Sequence, residues 1–258
     1  MEAIKFRLSG KTGFFKKPDV NINTYFTYNN IHKIALLGML GAIIGLEGHN
    51  QQSRKIKGGL MDKALEYPEF YDRLKNLKVS IIPGGDRGHF TKKVQVFNNG
   101  VGYANRDKDN HPCNLVVYEQ WLENPCWTIY ILKDDSIESQ LMNKLQKYLL
   151  NGECVYIPYL GKNDHPALIE ECELVELDVA ENITHIDSLF IYDTVEIGDD
   201  PYKDYEDVFM FKEMSPTSLK EEYNFYEFSE LCFTNLEVSN INASGMFYKN
   251  KDDILAFY

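Results

Sequence analysis

The chain has 258 residues, 44% of them hydrophobic, and a net charge of −12; that is enough apolar material for one extended domain or two small ones, and it excludes a disordered chain. The five cysteines (Cys113, Cys126, Cys154, Cys172, Cys232) are odd in number and scattered, and the six histidines form no HExxH or HxH pattern, which argues against a metal site or cofactor and for a reducing cytoplasm. The charge is divided unevenly: residues 1–108 carry 18 Lys and Arg against 9 Asp and Glu, and the remainder 9 against 30, so one surface suits a polyanion and another faces water or basic partners.

In chain order, "AIKFRLS" (3–9) alternates apolar and polar residues as a half-buried strand does. The following loop, "GKTGFFKKPD" (10–19), mixes glycine, lysine and aromatic residues. That mixture suits RNA: lysines neutralise phosphates, rings stack on bases, and glycines admit a close backbone. The competing reading has Phe14 and Phe15 closing the core. A nucleotide-binding P-loop is excluded, because the glycine it needs five positions before Gly10 is Lys5.

The apolar run from Ile34 to Leu46 is closed by His32 and Lys33 on one side and Glu47 on the other. It falls short of the about 20 residues a bilayer span takes, and no signal-like basic start precedes it; it predicts a buried helix over 32–46. At 100° per residue, glycines 38, 41, 45 and 48 would lie on one stripe, which predicts close approach of a sheet, a loop or an RNA-facing backbone there.

Further on, "SRKIK" (53–57) adds Arg54, Lys55 and Lys57 in a polar segment read as loop, and residues 59–76 read as a helix interrupted near Pro68. "VSII" (79–82) reads as a strand. Between about 87 and 105, "KVQVF" alternates, "NNG" signals a turn and "VGYA" begins a return strand. This predicts a basic hairpin bearing Arg87, His89, Lys92, Lys93 and Arg106; its competing reading is a solvated edge whose lysines deter aggregation. "CWTIYIL" (126–132) reads as a buried strand, Asp135 to Glu138 as a capping box opening a helix to about Leu150 with Gly152 as its stop, and "CVYI" (154–157) as a strand. His165 in "PYLGKNDHPA" (158–167) has no partner at motif spacing and reads as structural. The order β, α, β, hairpin, β, α, β predicts an α+β fold with a ferredoxin-like βαββαβ core over residues 1–167. The alternating, aromatic and acidic residues 168–258 predict a mainly β half packed on it.

The opening strand with "SGKTGFFKKPDVNINTYFTYNNIHKIALLGMLGAIIGL", the "TKKVQVFN" hairpin and "YLGKNDHPA" together resemble the CRISPR-associated protein 5 family, RAMP-type subunits of type I Cascade complexes, with subtype I-B the nearest. The resemblance implies a cytoplasmic, non-enzymatic subunit in antiviral defence that caps the 5′ handle of the crRNA, with a thumb-like hairpin, the Cascade backbone and large subunits as partners, and target DNA within the assembled complex. It places Lys11, Phe14, Lys16 and Lys17 in the family's first loop and Lys92, Lys93 and Gln95 in its thumb. The acidic second half departs from this pattern and suits protein contact rather than RNA. The alternative is a metal-independent endoribonuclease acting on repeat RNA, for which His89 with Lys92, or His111 with Tyr103, would supply acid and base. A scaffold without RNA contact is disfavoured by the charge division.

Overall fold

A computed structural model describes residues 1–19, 24–59, 67–100, 102, 106, 114–198, 208–241 and 246–258. In chain order the first part contains β1 (Glu2–Ser9), β2 (Thr12–Gly13), α1 (Lys33–Ile44), α2 (His49–Lys57), α3 (Glu69–Leu74), β3 (Val79–Pro83), β4 (Lys92–Gly100), β5 (Asn114–Glu123), β6 (Cys126–Lys133), α4 (Ser139–Asn151) and β7 (Leu168–Glu176). Strands β3, β6, β1 and β7 form one sheet in that spatial order, every neighbouring pair antiparallel. Helix α1 joins β1 to β3 and α4 joins β6 to β7, each crossing one strand. This is the βαββαβ arrangement of a ferredoxin-like core.

The remaining strands are β8 (Asp178–Val179), β9 (Phe190–Ile191), β10 (Val195–Ile197), β11 (Met210–Leu219), β12 (Tyr226–Thr234), β13 (Val238–Ile241), β14 (Met246–Asn250) and β15 (Asp253–Phe257). They form small antiparallel sheets, so this half is mainly β. Alternation along β1 and its partners gives the central sheet two apolar faces. Ile4, Phe6, Leu8, Ile129 and Ile131 share a buried cluster with α1 and α4, and Ala3, Tyr130 and Leu132 share another with Leu255 and Phe257 of β15.

Helix α1 is apolar on every side because it packs against α3, α4 and β11. Its N-cap is His32, whose Nδ1 accepts the Ala35 N–H at 3.2 Å, and it ends at Gly45, which takes the left-handed conformation. The glycine stripe therefore stops short of its predicted length. Gly41 admits Phe70 of α3: a Cβ there would lie 2.6 Å from the Phe70 Cβ, whereas one at Gly38 would meet the ring at 3.7 Å.

Three predicted elements differ. Residues 154–157 form no strand, because the Val155 N–H donates to the Ile43 carbonyl at the end of α1 and the Tyr156 N–H to the Ala42 carbonyl, which also accepts the Gly45 N–H; the fourth strand of the sheet is β7, which lies beyond residue 167. "NNG" is not a turn: β4 runs through it and pairs with β5, Lys92 opposite Leu122 and Gly100 opposite Asn114. The predicted return strand lies largely outside the described residues, as do Tyr103 and His111. Arg54, Lys55 and Lys57 stand on α2 rather than in a loop. Among smaller points, α3 begins after Pro68, residues 60–66 of the predicted 59–76 helix lying outside the described residues, while Glu138 makes no side-chain cap to α4 and Gly152 ends it in the left-handed region.

Candidate nucleic-acid interface

The first loop is fixed from both sides. β2 pairs with β5, the Phe14 N–H donates to the Leu160 carbonyl at 3.1 Å, and the Phe15 N–H to Thr27 Oγ1 at 2.9 Å. Phe14 and Phe15 are each 2% exposed, packed against His165 and against His32 and Trp127 respectively. Neither ring offers a face on which a base can stack. The lysines of the loop do reach the surface: Lys11 and Lys16 are exposed, Lys16 Nζ lying 3.8 Å above the Tyr25 ring. Lys17 is half-buried, its Nζ 3.0 Å from Glu213 of β11.

Lys92 at the base of the hairpin enters the same neighbourhood. Burial and the Lys17 charge lower its pKa while Glu213 opposes them. His89 is exposed beside the Phe211 ring, and burial followed by the Lys92 charge lowers its pKa. Lys17, His89, Lys92 and Glu213 thus form one cluster drawn from three distant segments. Arg87 and Lys93 are exposed, and Gln95 is half-buried with its Nε2 3.4 Å from the Val96 carbonyl. Beyond Phe97 and Val117, residues 98–100 and 114–116 are exposed on both faces of the β4–β5 hairpin, which stands off the body there. Arg106 is exposed. On α2, Arg54, Lys55 and Lys57 are exposed, and Lys55 forms an ion pair with Glu47.

Sequence reasoning passed over Lys162 and Glu119. Lys162 Nζ lies 3.0 Å from both oxygens of Glu119, a buried carboxylate that also accepts Trp121 Nε1–H at 2.9 Å, and 5.5 Å from the Phe14 and Phe97 rings. This network ties the hairpin to the 158–167 turn. His165 is fully buried there, with Nδ1 2.7 Å from Thr12 Oγ1, and burial lowers its pKa. That is the structural role its isolation suggested. Beside the network runs a cleft of about 670 Å³ whose lining includes Lys16, His32, Met39, Tyr156, Tyr159 and Lys162. Burial lowers the His32 pKa to about 3, so the imidazole is neutral and acts as a hydrogen-bonding group, with its proton on Nε2.

Among the described residues no three His, Cys, Asp or Glu side chains are grouped to hold a metal ion, and no helix is long and apolar enough to cross a membrane. The fold and site together define a ferredoxin-like α+β protein with a projecting β-hairpin and a lysine-bearing loop beside its first strand. The same fold occurs in a chain of a CRISPR RNA-guided surveillance complex, 14% identical, with a TM-score of 0.50 over 94% of this chain and 92% of that one. It also occurs in a CRISPR protein from Archaeoglobus fulgidus, 11% identical, with a TM-score of 0.50 over 99% of this chain and 98% of that one. No protein-family model and no curated protein matches the sequence.

Proposed function

We propose that this chain is a non-enzymatic RNA-binding subunit of a type I CRISPR effector complex, of the CRISPR-associated protein 5 kind, that caps the 5′ handle of the crRNA and contacts the backbone and large subunits. The observation that carries the reading is the pairing of a fold shared over 94% and 99% of this chain with two CRISPR proteins with a hairpin that stands free beyond a basic base at Lys92 and Lys93. Exposed Lys11, Lys16, Arg54, Lys57, Arg87, Lys93 and Arg106 supply a phosphate-binding surface, and binding through it is salt-sensitive. The acidic second half supports protein contact with neighbouring subunits.

The test is to purify the chain with its co-expressed neighbours and sequence the bound RNA. One short shared 5′ segment is expected; RNA of random sequence would reject the reading. The second reading, metal-independent cleavage of repeat RNA, draws on the proximity of His89 and Lys92: burial lowers the Lys92 pKa toward the range useful for proton transfer, whereas burial and the Lys92 charge lower that of His89 away from it. Incubation of repeat RNA with the protein in EDTA separates the two. Site-specific cuts that disappear in His89→Ala would favour the nuclease.

A further inference from the structure

The exposed aromatic rings of the acidic half gather at one turn. β11 and β12 are joined by residues 220–225, closed where the Lys220 N–H donates to the Phe225 carbonyl at 2.8 Å. Within the turn Tyr223 takes a positive φ of 61°, which is uncommon for a bulky residue. The rings are held outward: Tyr223 is 49% exposed, Phe225 66% and Phe228, on the adjoining strand, 42%. Pro18, Asn224, Phe225, Tyr226 and Phe228 line a groove of about 320 Å³. Apolar surface left in water together in this way marks an interaction site.

The charge around the groove decides what fits it. Among the described residues no cation lines it; Lys17 is held by Glu213 and Lys16 lies over the Tyr25 ring. Helix α2 reaches the turn through Gln52, whose Nε2 donates to Asn224 Oδ1 at 3.3 Å. Arg54 and Lys57 lie about 200° and 140° further round that helix, on its far side, and Lys55 is paired with Glu47. Carboxylates stand at the rings instead. Asp19 follows Pro18, Glu221 and Glu222 lie in the turn, and Glu227 adjoins Phe228, all four exposed, with Lys220 the one lysine in the same stretch. Glu227 accepts from Ser218, while Glu221 and Glu222 have no ion partner among the described residues.

We infer that this turn is a docking surface for an arginine-bearing segment of a partner protein, whose guanidinium groups stack on Phe225 and Phe228 and pair with Glu221 and Glu222. A cation is drawn to the face of an aromatic ring, and the planar guanidinium matches both a ring and a carboxylate. Exposed rings beside carboxylates are therefore complementary to arginine, and the same carboxylates repel a phosphate backbone. The chemistry of the surface stands by itself; that the segment belongs to a neighbouring subunit rests on the proposed function.

The test measures binding of a fluorescent hexa-arginine peptide to the full chain by anisotropy, with a fluorescent short oligouridylate in parallel. The double variant Phe225→Ala, Phe228→Ala is expected to weaken peptide binding about fivefold or more and to leave oligouridylate binding unchanged. Phe225→Trp should retain peptide affinity. Glu221→Gln with Glu222→Gln should weaken peptide binding and flatten its salt dependence, whereas Glu170→Gln with Glu176→Gln, a matched loss of two exposed carboxylates on β7, should change it less than about twofold. Both rings are exposed, so thermal unfolding of the double variant serves as the folding control. Unchanged peptide affinity without the rings, or equal losses in the two glutamine variants, overturns the docking surface in favour of diffuse attraction to an acidic protein. Loss of oligouridylate binding in the ring variant overturns it in favour of RNA, and self-association that the ring variant abolishes overturns it in favour of a second copy of this chain. The expected peptide result with copurifying RNA of random sequence keeps the docking surface and rejects the proposed function; a shared 5′ segment with no effect of the rings does the reverse.

Discussion

Lys17 and Glu213 stand 196 residues apart in sequence and 3.0 Å apart in space, and the Glu213 carboxylate also accepts the Asn29 N–H at 2.9 and 3.2 Å. The acidic half thus reaches into the basic one and holds a lysine that the sequence alone would assign to phosphate.

Glu213→Gln separates the two roles. The side chain is 12% exposed, so losing its charge-assisted bonds should reduce stability by about 1–3 kcal/mol. The same change releases Lys17 to bind phosphate, and the salt slope of RNA binding should steepen by about one. Chemical denaturation and salt titration check the two effects independently; a slope equal to that of the unsubstituted protein would mean that Lys17 stays away from RNA even when unpaired.

Burial lowers the His32 imidazole from an ordinary 6.5 to about 3. Between those values the unfolded chain binds a proton that the folded one refuses. Stability from this residue is therefore complete above about pH 6.5 and declines as pH falls toward about 3, by at most about 1.4 kcal/mol per pH unit. His32→Asn keeps a cap acceptor for Ala35 and removes that dependence. Urea unfolding of both proteins from about pH 7 to about pH 5 should show the stability gap narrowing with acid. The lowered pKa values of His49, His89 and His165 act in the same direction but are common to both proteins; a gap that stays constant would mean His32 takes up its proton while folded.

Gly38 and Gly41 lie one turn apart and should respond oppositely to alanine. At Gly38 the new methyl meets Phe70 at 3.7 Å, an ordinary contact, and the helix gains up to about 1 kcal/mol in propensity. At Gly41 it meets the Phe70 Cβ at 2.6 Å, and α3 must shift, at a cost of about 1–3 kcal/mol. Thermal unfolding of the pair tests the close approach; equal shifts would place the α1–α3 contact elsewhere.

Phe14 and Lys93 were both nominated for RNA, and the structure gives them different roles. Phe14→Ala should destabilise the protein by about 3 kcal/mol or more, as truncation of a buried aromatic ring does. Lys93→Ala should leave stability unchanged and lower the salt slope by about one. Denaturation curves and salt titrations on the two variants distinguish these outcomes.

Elements with a strong local signature were legible in the sequence: β1 through its alternation, α1 through its apolar run, α4 through its stop at Gly152, and β3 and β6 through their compact apolar runs. Those decided at long range were not. The Val155 and Tyr156 amides look like strand amides until the last carbonyls of α1 are brought to them. β5 was missed because its partner β4 contains "NNG", a turn signal overridden by nine residues of pairing with residues 114–122. Within the site, the lysine positions could be read from charge, but whether each is free depends on Glu119 and Glu213, carboxylates whose local sequence carries no mark of their targets.

The central position of β1 also governs the order in which the molecule can assemble. Ile4 pairs with Ile131 on one side and Leu174 on the other, so a strand made early in synthesis has both edges open until residues up to about 176 have emerged. Such non-local pairing gives the chain a high contact order, and folding on the millisecond-to-second scale rather than in microseconds is the expected consequence. During that interval Ile4, Phe6 and Leu8 are available to the wrong neighbours. Yield of the isolated chain should therefore improve with slower synthesis at lower temperature even where equilibrium stability is unchanged.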